Sequence, residues 1–334
     1  MTIDAPLVVL RELGRDFDVS RPWLNRVLEG APRRLLTAVD GVSCEIRRGE
    51  TLALVGESGC GKSTVARLIV GLHSPSRGHV EFDGVRLSAG GEETARARRR
   101  MQMIFQDPYA SLNPRWRVAR IVAEPLRAQG QLIGRKAISA RVAELLQQVG
   151  LSPEDGEKYP HEFSGGQRQR ICIARALSAH PEFLVCDEPT SALDVSVQAQ
   201  ILNLMKDLQE RMGLTYLFIS HNLAVVAYIA SRIGVMYFGR LVELADVGTL
   251  FVRPRHPYTR MLLDALPDLD MSGRARTPVA GEVPNPLAPP AGCAFHPRCP
   301  HAKDRCRLER PDLRDWHGGA PVACHAVEES RLPG

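Results

Sequence analysis

One segment constrains the fold of this 334-residue chain more than any other. Residues 51–55 (Thr-Leu-Ala-Leu-Val) are a short apolar run, and a glycine-rich loop follows at once over residues 56–63 (Gly-Glu-Ser-Gly-Cys-Gly-Lys-Ser). Residues 64–72 then have helical character. A continuous apolar run of this length predicts a strand that is buried on both faces of a sheet. The segment therefore predicts a strand–loop–helix unit of an α/β protein.

The loop fits the pattern G-x-x-x-x-G-K-[ST], which points to phosphate binding. Its glycines let backbone N–H groups converge on phosphate oxygens. Lys62 would place a charge on the β- and γ-phosphates, and the Ser63 hydroxyl would bind Mg²⁺. An ordinary glycine-rich turn is the alternative, but it does not explain the strand before the loop and the helix after it. The residues expected to contact a nucleotide are Gly56, Ser58, Gly59, Cys60, Gly61, Lys62, Ser63 and Thr64.

A second predicted strand ends in two carboxylates. Residues 183–187 (Phe-Leu-Val-Cys-Asp) are again a short apolar run, which Asp187 ends and Glu188 follows. Paired carboxylates at the end of a buried strand are costly unless they serve a purpose. Asp187 is placed to hold Mg²⁺, and Glu188 to orient or deprotonate a water, a role worth roughly 100- to 10,000-fold in rate.

Apolar runs and helical stretches alternate along the first three quarters of the chain, which predicts a mainly parallel sheet and the α/β fold class. Residues 107–180 are largely helical in pattern, and one helical face carries Ile138, Val142, Leu145, Leu146 and Val149. The character changes near residue 250, and residues 267–292 hold six prolines. We therefore expect one domain over residues 1–250, with its helical subdomain at about 107–180, and an extension over residues 251–334.

Composition and charge narrow the class of protein. Apolar residues make up 44% of the chain, enough for a globular core, and the net charge of +5 is too small for a surface built to bind nucleic acid. Residues 1–10 show no secretory signal pattern. Residues 212–231 contain no Asp, Glu, Lys or Arg, but Ser220, His221 and Asn222 interrupt them, so we expect a strand followed by a helix and not a membrane span.

An arginine run stands before the predicted strand at residues 101–105. It consists of Arg96, Arg98, Arg99 and Arg100. We expect a solvated face of the protein here, with contact to nucleic acid or anionic lipid as the alternative.

At residues 163–167 (Phe-Ser-Gly-Gly-Gln) the chain resembles the signature motif of ATP-binding cassette (ABC) ATPases, although leucine is commoner than phenylalanine at its first position. The other family motifs fall in order. They are Gln106 for the Q-loop, residues 191–194 (Ser-Ala-Leu-Asp) for the D-loop, His221 for the switch histidine, and Phe17 for the aromatic that stacks on adenine, where a core phenylalanine is the alternative. The resemblance implies a P-loop NTPase fold with a RecA-like core, an antiparallel β subdomain and a helical subdomain.

The same resemblance implies a role for each motif. Glu188, His221 and Gln106 would be catalytic, with Ser63, Gln106 and Asp187 around Mg²⁺. The signature residues Ser164, Gly165, Gly166 and Gln167 would open a helix toward the γ-phosphate of ATP held by an opposite subunit, and Asp194 would lie in the D-loop beside it. A single chain then carries two half-sites and needs a second nucleotide-binding subunit.

Further residues are similar to the ATPases of oligopeptide and dipeptide importers. They are residues 159–162 (Tyr-Pro-His-Glu), 106–114 at the Q-loop and 256–259 (His-Pro-Tyr-Thr), and residues 167–170 look like the second, F-type, ATPase of such importers. The resemblance implies a different, D-type, ATPase partner, two permease subunits, indirectly an extracytoplasmic binding protein, and a peripheral place on the cytoplasmic face of the cell membrane. Alternatives are an importer ATPase for nickel, glutathione or oligosaccharides, a soluble ABC ATPase acting on nucleic acid or ribosomes, and a non-hydrolysing regulatory cassette.

Four of the eight cysteines cluster near the C-terminus, with the spacing Cys293-x5-Cys299-x6-Cys306-x17-Cys324. Four thiols in a short, core-poor stretch suggest a metal staple. Zinc favours closer pairs of cysteines, whereas a [4Fe–4S] cluster tolerates varied spacing. Some importers of the group resembled carry such a cluster, so we expect [4Fe–4S], with zinc and uncomplexed thiols as the alternatives.

Overall fold

The computed structural model describes residues 5–30, 32–87, 90–130, 134–265, 284–316 and 320–332. Its strands are β1 Pro6–Asp18, β2 Leu35–Arg47, β3 Thr51–Val55, β4 Arg77–Phe82, β5 Val85–Arg86, β6 Met101–Ile104, β7 Phe183–Asp187, β8 Thr215–Ile219, β9 Arg232–Tyr237 and β10 Arg240–Asp246. Its helices are α1 Trp23–Glu29, α2 Lys62–Ile69, α3 Glu92–Arg99, α4 Pro108–Ser111, α5 Val118–Ala128, α6 Arg135–Gln148, α7 Gly165–Ser178, α8 Val195–Met212, α9 Leu223–Ile229, α10 Val247–Val252, α11 Pro257–Asp264, α12 Asp304–Leu308 and α13 His325–Glu328.

The larger sheet has six strands in the order β10-β9-β3-β8-β7-β6. All its pairs are parallel except β10 with β9. Every residue of β3, β7 and β8 is buried, as their apolar runs predict. The stretch at residues 212–231 forms β8 and α9, and none of the described helices is long and apolar enough to cross a membrane.

A second sheet is antiparallel, with four strands in the order β2-β1-β4-β5. Its two long strands are 13 residues each. The sequence instead predicts short strands over residues 1–55, because apolar and polar segments alternate there with turn signals. Register shifts in the β1–β2 pair explain the difference, because they break the regular alternation that would mark one long strand. The helix α1 between these strands was not predicted either.

Helices α4–α7 form the helical part of the protein. Val142, Leu145 and Leu146 of α6 are buried, as the spacing predicts, and they belong to one apolar cluster with residues of α5, α7 and α8. That cluster reaches Tyr216 and Phe218 of β8, so the helices rest on the larger sheet.

The arginine run is only partly the solvated face expected from the sequence. Arg96 and Arg99 lie exposed on α3, but Arg100 is half-buried. Its guanidinium donates to both carboxylate oxygens of Glu182 at 2.6 and 2.7 Å, and to Asp83 at 2.7 Å. Since Asp83 belongs to the smaller sheet's β4–β5 turn and Glu182 precedes β7, Arg100 ties the two sheets together.

The C-terminal residues pack against the larger sheet. The Leu244 N–H of β10 donates to the Pro321 carbonyl at 3.0 Å, and the Ala323 N–H donates to the Val242 carbonyl at 2.8 Å. Tyr258 and Phe295 join the apolar cluster of β3, β9 and β10. Most of the proline-rich segment expected at residues 267–292 lies outside the described residues.

Candidate nucleotide-binding site

Three adjacent strands of the larger sheet place the predicted site residues. Strands β3, β8 and β7 are parallel neighbours, and Ile219 at the end of β8 pairs with both Leu54 and Asp187. Because parallel strands end at one edge of a sheet, the glycine-rich loop, Glu188 and His221 all follow that edge. The crevice outside the carboxyl ends of such strands is where α/β folds bind ligands.

The glycine-rich loop joins β3 to α2, as predicted. Two of its glycines are required by close backbone approach. At Gly56 (φ 148°) a Cβ would lie 2.2 Å from the Met236 carbonyl oxygen, and at Gly61 (φ 105°) it would lie 2.3 Å from that of Ala38. The loop is therefore pressed against its surroundings, which fixes the direction of its N–H groups. Ser58 and Gly59 are exposed at its tip, and Thr64 is half-buried in α2.

Lys62 lies buried within this loop. Its Nζ donates to the carbonyl oxygens of Gly56 at 2.8 Å and Glu57 at 3.0 Å, and lies 3.7 Å from Cys60 Sγ. Burial raises the pKa of the Cys60 thiol despite the opposing charge of Lys62. The burial of Cys60 fits a packing residue and not a reactive thiol, which needs a lowered pKa.

Ser63 of α2 and Asp187 of β7, two residues expected to hold Mg²⁺, are in contact. The Ser63 hydroxyl donates to Asp187 Oδ1 at 2.9 Å. Asp187 is buried, which raises its pKa, while the Ser63 hydrogen bond and the charge of Arg67 act against that rise. A hydroxyl and a carboxylate on neighbouring elements are the hard oxygen donors that Mg²⁺ prefers, so these residues fit the ion.

Glu188 lies between the other two predicted catalytic residues. Its Oε2 accepts from Gln106 Nε2 at 2.9 Å, and its Oε1 lies 3.1 Å from His221 Nδ1. Glu188 has a positive φ of 47°, and its N–H donates to the Ile219 carbonyl at 3.0 Å. The structure therefore brings Gln106, Glu188 and His221 into one hydrogen-bonded group beside Asp187.

The signature residues lie elsewhere, at the start of α7. Ser164 is the N-cap: its N–H donates to Gln167 Oε1 at 3.0 Å, and its hydroxyl accepts from the Gln167 N–H at 3.4 Å. Gly165 and Gly166 follow as the first helical residues, and Asp194 stands at the N-cap position of α8 without a side-chain capping hydrogen bond. The helix thus presents an N-terminus suited to an anion.

Phe17 lies near the end of β1. Its half-buried ring makes an edge contact with His73, with centroids 5.5 Å apart, and the Arg15 guanidinium lies 4.8 Å from its centre. Its predicted contact with adenine stays a prediction.

Sequence reasoning missed two residues that touch the loop. Tyr258 and Arg298 both hydrogen-bond to Glu57. The sequence carried a signal for Tyr258 only as part of a family resemblance at residues 256–259, and none for Arg298.

The four C-terminal cysteines are free thiols, with Cys306 and Cys324 buried and Cys293 and Cys299 half-buried. Burial, with smaller contributions from Cys324, Cys299 and Cys306, raises the pKa of Cys293 to about 12. Burial likewise raises the pKa of Cys299 to about 11. Across the described residues, however, no group of three or more His, Cys, Asp or Glu side chains is placed to hold a metal ion. The placement of these thiols therefore does not support the expected [4Fe–4S] cluster.

The fold and the loop define a P-loop nucleotide-binding protein, and comparison with solved structures agrees. The protein cbiO1 of Clostridium perfringens, part of the ABC transporter complex cbiONQ, has a TM-score of 0.62 at 26% identity, and the match covers 75% of this chain and 92% of that chain. The ATP-binding cassette MJ0796, solved as a dimer with ADP and phosphate, has a TM-score of 0.62 at 27% identity and covers 72% of this chain and 98% of its own.

Sequence comparisons extend the likeness to the whole chain. The ABC transporter family model matches residues 39–191, and the model for the C-terminal region of oligopeptide/dipeptide transporters matches residues 242–306. A putative oligopeptide transport ATP-binding protein of Bacillus subtilis is 50% identical over 324 residues, covering 96% of this chain and 95% of that protein. The di/tripeptide transport ATP-binding protein DppF of Pseudomonas aeruginosa is 47% identical over 325 residues, covering 97% and 98%. The chain belongs to the ABC transporter ATPases, in the group with the oligopeptide/dipeptide C-terminal region.

Proposed function

We propose that this chain is the ATP-hydrolysing subunit of an ABC importer for dipeptides or oligopeptides. The observation that carries this proposal is the likeness to peptide-transport ATPases along both the cassette and the C-terminal region. Importers of nickel, glutathione or oligosaccharides are the competing cargo classes, and a soluble ABC ATPase acting on nucleic acid or ribosomes is the more distant alternative.

The strand-end residues account for hydrolysis in this proposal. The loop N–H groups and Lys62 would bind the β- and γ-phosphates. Bound Mg²⁺ would neutralise phosphate charge, held by Ser63, Asp187 and Gln106. Glu188 would orient or deprotonate the attacking water, because its carboxylate is fixed from both sides by Gln106 and His221. His221, whose side chain is 61% exposed, would also contact the γ-phosphate.

A second nucleotide-binding subunit would complete each site. The start of α7, with Ser164, Gly165, Gly166 and Gln167, would bind the γ-phosphate of ATP held by that subunit, and Asp194 would lie at the junction. MJ0796, which shares the fold, was solved as a dimer. We infer a D-type partner ATPase and not a second copy, from the F-type pattern of residues 167–170.

The helical part offers a surface for the membrane subunits. A cavity of about 550 Å³ lies between the Q-loop region and α5 and α7, lined by Leu112, Trp116, Glu124 and Arg175 among others. Gln106 precedes the lining residues 110–116 in the chain and bonds to Glu188, so the proposal links permease contact at this surface to the hydrolytic site through Gln106. The proposal places the chain at the cytoplasmic face of the membrane, with two permease subunits and, indirectly, an extracytoplasmic binding protein.

The class of cargo is tested with the assembled transporter reconstituted in vesicles. We expect ATP hydrolysis to rise when peptide-loaded binding protein is added, and peptide to accumulate in the vesicle. Nickel, glutathione and an oligosaccharide are the comparison cargoes, and the Glu188→Gln transporter is the control for hydrolysis. Stimulation by one of these cargoes and not by peptide would replace the peptide assignment, and would leave the ATPase assignment in place.

A [4Fe–4S] cluster on Cys293, Cys299, Cys306 and Cys324 is a separate proposal. It rests on donor chemistry alone, since a [4Fe–4S] cluster takes four cysteine ligands and tolerates varied spacing between them. Protein purified without oxygen should contain about four iron and four sulfide per chain, with an absorbance band near 400 nm, by cluster stoichiometry. One zinc per chain, or no metal, would remove the proposal.

A further inference from the structure

Glu57, the second residue of the glycine-rich loop, is held by two residues from the far end of the chain. Its N–H donates to the Tyr258 hydroxyl oxygen at 2.8 Å. Its carboxylate receives both arms of the Arg298 guanidinium, with Nη1–Oε2 at 2.8 Å and Nη2–Oε1 at 2.9 Å. Backbone and side chain of one loop residue are therefore fixed by the C-terminal extension.

These contacts are largely buried, and aromatic rings pack against Tyr258. The Arg298 side chain is 2% exposed, the Glu57 side chain is 23% exposed, and Tyr258 is fully buried. The Tyr258 ring packs against those of Tyr237 and Phe295, with centroids 4.6 and 5.5 Å away. A two-armed arginine–carboxylate pair in such surroundings fixes geometry more strictly than a surface ion pair does.

Glu57, which Arg298 and Tyr258 hold in place, in turn hydrogen-bonds to Lys62. The Glu57 carbonyl oxygen accepts from Lys62 Nζ at 3.0 Å, next to the Gly56 carbonyl oxygen at 2.8 Å. Helix α11 also approaches the switch histidine, because a cavity of about 260 Å³ is lined by Gly56 and Glu57 together with His221, Leu262 and Ala265. The extension thus reaches the phosphate side of the site through one residue.

We propose that Arg298 and Tyr258 are positioning residues for the phosphate loop, acting through Glu57 to set how tightly it binds nucleotide. This rests on the proposed ATP-binding role of the loop. Two physical effects operate. The pair fixes the backbone that directs Lys62, and Arg298 neutralises a carboxylate that would otherwise repel the nearby phosphates.

The turn that carries Arg298 is short and bounded by two of the four clustered cysteines. The Cys293 carbonyl accepts from the His296 N–H at 2.9 Å, and the Phe295 carbonyl accepts from the Arg298 N–H at 3.0 Å. Cys299 follows Arg298 directly. These backbone hydrogen bonds fix the position of the Arg298 backbone. Under the proposal, nucleotide affinity therefore depends on the turn keeping this structure.

The test compares Arg298→Gln, Glu57→Gln and their combination in full-length chain carrying Glu188→Gln, so that ATP is bound but not hydrolysed. The dissociation constant for Mg²⁺-ATP is measured by calorimetry, and thermal unfolding is measured without nucleotide. We expect Arg298→Gln to weaken binding about tenfold, the loss of one charge-assisted contact. Adding Glu57→Gln should restore most of that affinity, because it removes the unneutralised carboxylate. A purely structural role of Arg298 would not give this rescue.

Arg305→Gln is the matched control, since Arg305 also lies in the extension and pairs with Glu309, Glu328 and Glu329 away from the loop. It should leave ATP affinity unchanged. Where Arg298→Gln fails to fold, Tyr258→Phe takes its place, and should weaken binding about threefold, by loss of a single neutral hydrogen bond to the loop.

The outcomes separate the two proposals. A parent chain that does not bind ATP, or binds it regardless of Lys62→Ala, overturns the proposed function itself. A parent that binds ATP through Lys62, with Arg298→Gln or Tyr258→Phe indistinguishable from the Arg305→Gln control, overturns the positioning role alone. The positioning role is also overturned if the combined variant binds ATP more weakly than Arg298→Gln alone, so that Glu57→Gln gives no rescue.

Discussion

At the scale of single residues, both the backbone and the side chain of Glu188 are held in place by their surroundings. It adopts a left-handed backbone conformation (φ 47°) that non-glycine residues rarely take. Its N–H is bonded to the end of β8, and both its carboxylate oxygens face a hydrogen-bonding partner. Such an over-determined conformation is typical of functional sites.

Replacing Glu188 by glutamine should reduce ATP turnover by at least about 100-fold while ATP is still bound, because the amide cannot accept a proton from water. Phosphate release and ATP affinity are measured on the same protein. Glu93→Gln, at an exposed position on α3, is the control and should leave both unchanged. Undiminished turnover in the Glu188→Gln protein would remove Glu188 from its assigned role.

At the scale of elements, the contact between α7 and α8 distinguishes two adjacent glycines. A Cβ on Gly166 would lie 2.4 Å from Val197 Cγ1, whereas a Cβ on Gly165 would lie 3.5 Å from Leu193 Cδ2, an ordinary contact. The start of α7 can therefore approach α8 only because residue 166 has no side chain.

Gly166→Ala should lower the free energy of unfolding by about 1–3 kcal/mol, the usual cost of overpacking. Gly165→Ala is the matched control and should cause no such loss, since alanine favours helices. Adding Val197→Ala to Gly166→Ala should recover most of the stability. Equal effects at positions 165 and 166 in chemical unfolding would contradict the packing described.

Helix α11 begins at a buried, uncharged histidine. His256 Nδ1 accepts from the Tyr258 N–H at 3.0 Å, and burial lowers the pKa of His256 to about 3. The buried carboxylate of Glu243 accepts from the His256 N–H at 2.9 Å, and burial raises the pKa of Glu243. The packing of the start of α11, which carries Tyr258, therefore depends on pH in the acid range.

Between pH 6.5 and about 3 the unfolded chain binds a proton at His256 that the folded chain does not, so this residue lowers stability as the pH falls. His256→Asn keeps a capping oxygen but does not titrate. The loss of unfolding free energy between pH 7 and pH 5 should be about 2 kcal/mol smaller in the variant than in the parent. Glu243 acts in the opposite direction but is common to both proteins. Parallel stability curves would contradict the assignment.

At the scale of the whole molecule, the two sheets are joined by an ion-pair group around Arg100 and Arg48, with Asp83 on one side and Glu182 on the other. Hydrogen bonds from Arg100 lower the pKa of both carboxyls. The side chains are about a third or more exposed, so water screens much of their attraction.

Arg100→Gln should therefore cost only about 1 kcal/mol of unfolding free energy at low salt, and less at high salt. Arg100→Lys should not restore it fully, because an ammonium cannot bind both Glu182 oxygens as the planar guanidinium does. Arg99→Gln, at an exposed neighbour, is the control. Equal losses for Arg99→Gln and Arg100→Gln would show that the pairs do not link the sheets.

Much of the site could be predicted because its information is local. A buried strand, a glycine-rich loop and a helix start are consecutive in the chain, so their residue types alone indicate β3, the loop and α2. The same holds for β7 with Asp187 and Glu188. The long strands β1 and β2 were not predicted, because bulges disturb their alternation and pairing partners are distant in sequence.

The sequence by itself determined which groups gather at the ends of the parallel strands, since strand ends and loop glycines follow from neighbouring residues. Only the tertiary structure decided that Arg298 and Tyr258 hold Glu57, across 241 and 201 residues of chain. It also decided that Arg100 pairs with Asp83 and Glu182 between the two sheets, although the side chain keeps part of its exposure. The physical reason is the same in both cases: burial and two-armed hydrogen bonding depend on which distant surfaces pack together, and no local pattern of residues encodes that pairing.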